Sequence, residues 1–179
     1  YHVWDISRLF NVGVSALGTE ELEIDFTEFT GNGLSCLPAS KSEDFDAYMC
    51  VIPGEALASI YEKYGSRLLE GNVRSFLNTT GKINKGIQGT IRSAPEKFFI
   101  YNNGISATAI DVKLDIASDG HRITSAKYLQ IVNGGQTTAS LFVALKKDKA
   151  DLSKISVQMK LTVVKARDSD TLGSMIQNI

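Results

Sequence analysis

Two polar stretches hold the residue types in this sequence that could bind a ligand: Asn133-Gly134-Gly135-Gln136-Thr137-Thr138 and Tyr101-Asn102-Asn103-Gly104. Amide side chains offer a donor and an acceptor together, so they can read a base edge, a sugar hydroxyl or a backbone. The first stretch follows the apolar run Leu129–Val132 and opens a helical pattern, so Gly134-Gly135 reads as a strand-to-helix turn. First-turn N–H groups of a helix have no partner inside it, and such an end attracts an anion, commonly a phosphate. Thr137 and Thr138 would set hydroxyls beside those groups. Arg74, just past Gly71-Asn72, adds a planar fork of donors suited to phosphate or carboxylate. Plainer alternatives stand beside each: Asn side chains that bond locally within a turn, threonines that belong to a first helical turn, and an arginine in a surface ion pair.

The elements that must position these residues form a mixed pattern. Leu22, Ile24 and Phe26 alternate with Glu21, Glu23 and Asp25, which predicts a half-buried strand with an acidic outer face. Gly31-Asn32-Gly33 is a turn. A strand over Phe45–Ile52 runs into a helix that starts at Pro53-Gly54-Glu55 and ends at Gly65. Asn84 is placed as the N-cap of a helix through Ile87 and Ile91, closed by Ala94-Pro95-Glu96. Phe98–Tyr101 reads as a buried strand, and Asn103-Gly104 as a tight turn with positive φ. The parity of apolar residues changes between Ala109 and Ile110, which predicts a bulge or bend between two sheet faces.

Asp119-Gly120 turns a hairpin, and Arg122–Val132 returns as one central strand, apolar on both faces and so covered by helices. The following helix buries Thr138, Leu141, Phe142 and Leu145. Ile155, Val157, Met159, Leu161 and Val163 alternate with polar residues in a further strand. Helical patterns also occupy Tyr1–Leu17, around Trp4, and Asp168–Ile179. The expected fold class is α/β (α+β): a mixed, largely antiparallel central sheet with flanking helices.

Composition narrows the function. With 179 residues, 43% hydrophobic and 22% charged, the chain is long enough for one well-buried domain. A net charge of −1 gives no global basic field of the kind many nucleic-acid binders use, although a local basic groove is compatible with it. Cys36 and Cys50 match no zinc pattern and make no disulfide framework, which fits a reduced, cytoplasmic setting. No apolar run approaches the roughly 18–20 residues needed to span a bilayer, and no signal peptide opens the chain, so no membrane partner is expected. The opening at Tyr1 without Met and the stop inside a helical pattern lead us to expect a piece of a longer protein. Residues 1–20 would form a helical junction to an upstream domain, and 21–179 a core domain truncated at its C-terminus.

Catalytic motifs are scarce. Gly81-Lys82 lacks the rest of a phosphate-binding P-loop, and no dinucleotide fingerprint follows a strand. His2 and His121 are the only histidines, so a His-based triad or a metal site is not expected. No carboxylate pair with a nearby lysine forms a nuclease core. The sequence thus identifies neither a catalytic residue nor a cofactor.

Four motifs in order make a family resemblance: Asn72-Val73-Arg74 with Phe76-Leu77; Asn84-Lys85-Gly86-Ile87; Phe98–Gly104 as FFIYNNG; and Ile131–Thr138 as IVNGGQTT. Together they resemble the AIPR family, whose name means abortive infection phage resistance. The resemblance implies a bacterial, prophage-associated defence protein. The opening Val3–Leu9 looks like the family's junction after an often nuclease-like domain, and the family's pattern continues past Ile179. More distantly, NGGQTT is similar to the Gly-rich motif of DGQHR-type and ParB/sulfiredoxin-like domains, where that helix start holds nucleotide phosphates. Those motifs carry His-Arg where Thr137-Thr138 stand here, so Arg74 would have to bring the charge. This departure weakens nucleotide hydrolysis more than anion binding.

The expectation is a composite site for DNA, RNA or a nucleotide. Asn133, Gly134, Gly135, Gln136, Thr137 and Thr138 would form its floor, Arg74 its charge, and Tyr101, Asn102 and Asn103 the opposite lip. The alternative is a structural or protein-interaction module that positions a separate nuclease-like domain. A homo-oligomer is compatible with either.

Overall fold

The computed structural model describes residues 22–69, 82–118 and 120–165. The expected helices at 1–17 and 168–179, and the turn that carries Arg74, lie outside these.

Strand β8, Ser156–Val164, shows most directly how the sequence sets the fold. Its alternation puts Val157, Met159, Leu161 and Val163 into the core, each 6% exposed or less. β1 (Glu23–Asp25) does the same on a small scale: Ile24 is fully buried between exposed Glu23 and Asp25, with Leu22 and Phe26 buried at its ends. β3 (Phe45–Pro53) buries Tyr48, Cys50 and Ile52 and leaves Met49 and Val51 exposed on the other face. It passes into helix α2 (Gly54–Tyr64), which turns Ala56, Leu57 and Ile60 inward.

The remaining described strands are β2 (Leu34–Lys41), β4 (Ile105–Ala109), β5 (Asp111–Ala117), β6 (Gly120–Lys127) and β7 (Gln130–Asn133). Among the described residues, eight strands form one sheet in the order β1-β6-β2-β3-β8-β4-β7, with β5 paired to β6 off this path. Among the described ladders only β4–β8 is parallel, so the sheet is mixed and largely antiparallel, as the sequence led us to expect. The helices are the short α1 (Thr27–Thr30), α2, α3 (Lys82–Ser93), the one-turn α4 (Phe98–Tyr101) and α5 (Gly135–Lys146). Tyr61 of α2 meets Phe142 of α5 edge to face at 5.4 Å, and Lys146 pairs with Glu62 at 2.7 Å across the same helix pair. Arg92 of α3 bonds Asp148 beyond α5 at 2.8 Å.

Several expectations are corrected. Phe98–Tyr101 is a helical turn, not a buried strand: Pro95 opens a 3-10 turn that feeds directly into α4. Only Phe98 enters the core, while Ile100 is 73% and Tyr101 65% exposed. α3 begins at Lys82, so Asn84 lies inside the helix and is not its N-cap. Arg122–Val132 is two strands, because Tyr128 takes φ 54° and breaks the run between β6 and β7. Nor is β7 central. It ends the strand order, with the bridge from Leu69 to Ile131 beyond it. β2 has no counterpart in the sequence reading. The expected break after Ala109 is present: β4 ends there, exposed Ile110 donates its N–H to Lys127 O, and β5 pairs elsewhere.

Candidate functional site: two interlocked turns

The two amide-rich turns meet. Asn102-Asn103-Gly104 leads from α4 into β4, and Asn133-Gly134 leads from β7 into α5; β4 and β7 are antiparallel neighbours with Ser106 opposite Asn133. The register shifts between Ser106 and Ala107, so β7 carries one extra residue, Val132, just before the turn. Such a bulge re-aims the residues beside it.

Each turn is fixed by its own asparagine. Asn102 Oδ1 accepts the Gly104 N–H at 2.9 Å, and Asn133 Oδ1 accepts the Gly134 N–H at 2.7 Å. Thr137 Oγ1 donates to Asn102 Oδ1 at 3.3 Å and so ties the turns together. Thr138 Oγ1 donates to Gly134 O at 3.3 Å. Gly134 has φ 85° and Gly104 φ 74°, the left-handed region that a Cβ disfavours. Space excludes a side chain at both positions. A Cβ on Gly134 would lie 2.6 Å from Gly104 O, and one on Gly104 would strike the backbone oxygen and Cγ of Gln158.

The expected residues therefore divide. Tyr101, Asn103 and Asn133 are exposed and Asn102, Gly134 and Gln136 half-buried; these could meet a ligand. Gly135 is buried, Thr137 is 5% exposed and Thr138 not at all, so the two threonine side chains serve the turn more than any surface. Arg74 lies outside the described residues. α5 starts without a side-chain cap, and Gly134 O accepts the Thr138 N–H as the first helical bond. The N–H groups of Gly135, Gln136 and Thr137 thus belong to the first turn, whose donors the helix itself does not use. Their partial positive charge is the helix macrodipole's.

Two residues here were not anticipated. Gln158 packs under Gly104, and Lys160 is the register partner of Ser106, which is in turn the partner of Asn133. At about 4.8 Å per strand, Lys160 lies two strands from Asn133, and it is exposed. In the sequence both are ordinary polar positions in an alternating strand, and only the ladder brings them to the turns.

A family model described as AIPR protein matches residues 69–179, more than half of the sequence. The chain belongs to the AIPR family. Membership suggests a role in phage defence by abortive infection. The AIPR match includes both interlocked turns and strands β4–β8, while β1–β3 of the same sheet precede it. No curated protein and no solved structure matches the chain. Among the described residues, no cluster of His, Cys, Asp and Glu could hold a metal ion, and no helix is long and apolar enough to cross a membrane.

Proposed function

We propose that this chain is the core of a phage-defence protein that binds nucleic acid or a nucleotide at the interlocked turns. The reading takes 21–179 as one unit, because β1–β3 share a sheet with the strands that follow. A phosphate would sit at the first turn of α5. Tyr101 and Asn103 would form the rim, the first by stacking a base and the second by reading its edge. Lys160 and Arg74 would contribute charge. One observation carries the reading: the Thr137–Asn102 bond sets a helix start, whose N-cap Gly134 makes no side-chain bond, beside an exposed aromatic and an exposed amide.

Fluorescence anisotropy with labelled single-stranded DNA, and competition by ATP, tests it. Tyr101→Ala/Asn103→Ala, both on exposed side chains, should weaken binding at least tenfold without lowering the melting temperature. Binding equal to that of the unmodified chain would overturn the placement.

A second reading has its own observation. Asn102 Oδ1, Asn133 Oδ1 and both threonine hydroxyls are engaged within the turns. On that basis the motif is a joint that fixes α4, β4, β7 and α5, and the domain positions other parts of a defence protein. A thermal-shift series with nucleotides and short DNA separates the two readings, since a ligand that binds only the native state raises its melting temperature.

A further inference from the structure

Cys36 and Cys50 stand directly opposite one another on the hairpin formed by the consecutive strands β2 and β3. Both are free thiols. Directly opposed residues in an antiparallel pair have Cα atoms about 4.5–5.5 Å apart, and a disulfide spans Cα separations of about 4.4–6.8 Å. The backbone is therefore already within bonding range. The two thiols differ in access: Cys50 is fully buried, between Met159 on β8 and Cys36 on β2, while Cys36 is half-buried, between Cys50 and His121 on β6.

We propose that Cys36 and Cys50 close a reversible cross-strand disulfide when the protein meets a peroxide. Cys36, the accessible member, attacks a peroxide oxygen as its thiolate and becomes a sulfenic acid, with hydroxide leaving and taking a proton to form water. Cys50 then loses its proton and attacks the Cys36 sulfur; the S–S bond forms and a second water departs. Two thiols and one hydrogen peroxide thus yield one disulfide and two waters. A dithiol reductant reverses the step by exchange.

The position of the pair gives the bond a consequence. Among the described ladders, β2–β3 alone joins the β1, β5, β6 group to the β3, β8, β4, β7 group. The disulfide would staple that joint. Burial raises the pKa of both thiols, that of Cys50 to about 12, so thiolate is scarce near neutral pH.

The test uses the folded 179-residue chain. It is treated with hydrogen peroxide, quenched with catalase, then unfolded and alkylated with iodoacetamide. The expected product is monomeric, two hydrogens lighter than the reduced chain, blocked to alkylation, and restored to two alkylated cysteines by dithiothreitol. Peptide mapping should find Cys36 joined to Cys50. The oxidised protein should melt several degrees higher than the reduced one, and Cys36→Ser, or Cys36→Ala if the serine variant does not fold, should show no such rise. Two alkylated cysteines after peroxide, a sulfinic Cys36 beside a free Cys50, a disulfide between chains, or a crosslink without a melting shift would each overturn the proposal.

Discussion

The Thr137 hydroxyl reaches across from α5 to Asn102 Oδ1 at 3.3 Å, and that same oxygen holds the Gly104 N–H at 2.9 Å. One amide oxygen thereby serves both its own turn and the neighbouring helix. Thr137→Val keeps the shape and deletes only the link between them, so it should cost about 1 kcal/mol by urea denaturation. Asn102→Ala also frees the Gly104 N–H and should cost about 1–3 kcal/mol. In a double-mutant cycle the two should be non-additive; full additivity would show that the hydroxyl contributes nothing to the joint.

Gly134 and Gly31 separate two effects of adding a Cβ. Both have strongly positive φ, 85° and 82°. Around Gly31 nothing lies within 4 Å, whereas a Cβ on Gly134 meets Gly104 O and Ile105 at 2.6 Å. Gly31→Ala should cost about 1–3 kcal/mol, the backbone term alone, for a φ of 82° with ψ −33°. Gly134→Ala adds displacement of the other turn and should lose roughly twice that or more. Comparable melting shifts in the two variants would show that the turns are not held in contact.

Two neighbours in α4 test the helical turn against a strand. Phe98 is 1% exposed and Ile100 73%, although in a strand the two would share a face. Phe98→Ala should cost about 3–5 kcal/mol. Ile100→Ser should stay within about 0.5 kcal/mol of the parent. A large loss at Ile100 would restore the strand reading.

Acid should weaken the β1 edge. Hydrogen bonds from the Thr27 hydroxyl and N–H hold Asp25 below its ordinary value of 3.8, and the Lys113 bond and charge hold Glu23 below 4.5. A carboxylate depressed in the folded state contributes stability above its unfolded pKa and loses it as pH falls through the folded one. Stability measured from pH 5 downward should therefore fall from about pH 4.5, and Asp25→Asn with Glu23→Gln should flatten that fall. An unchanged slope would assign the acid sensitivity elsewhere.

Nucleic-acid binding at the turns should depend only weakly on salt. A single helix start with one or two cations contacts few phosphates, and each contact on a single strand contributes a slope of about 0.7 in log affinity against log salt. A slope near 1–2 is expected. One above about 4 would mean a broad basic track, which a chain of net charge −1 does not suggest.

How far the sequence could be read depended on whether a residue's partner was local. Ile155–Val163 alternates because one face of β8 is buried, and period alone reveals that. The turns at Gly104 and Gly134 were legible because left-handed backbone is chemically marked. β2 was not: in Leu34–Lys41 only Leu34 is buried and Cys36 half-buried, and Pro38, beside a register shift, weakens the strand pattern. Tyr128 hid the break between β6 and β7 because no side-chain preference marks a tyrosine at positive φ. In the candidate site, amide chemistry pointed to both turns, but the burial of Thr138 and the approach of Lys160 depend on ladders closed from distant segments.

β8 is the last strand of the described chain, yet it lies between β3 and β4. A ribosome making this protein would therefore release β3 and β4 with their facing edges unpaired, since among the described ladders β8 alone pairs with both. Exposed strand edges recruit other chains. A protein cut short before Ser156 should accordingly aggregate rather than lose stability in proportion to its length. The nascent chain carries that hazard until β8 is inserted.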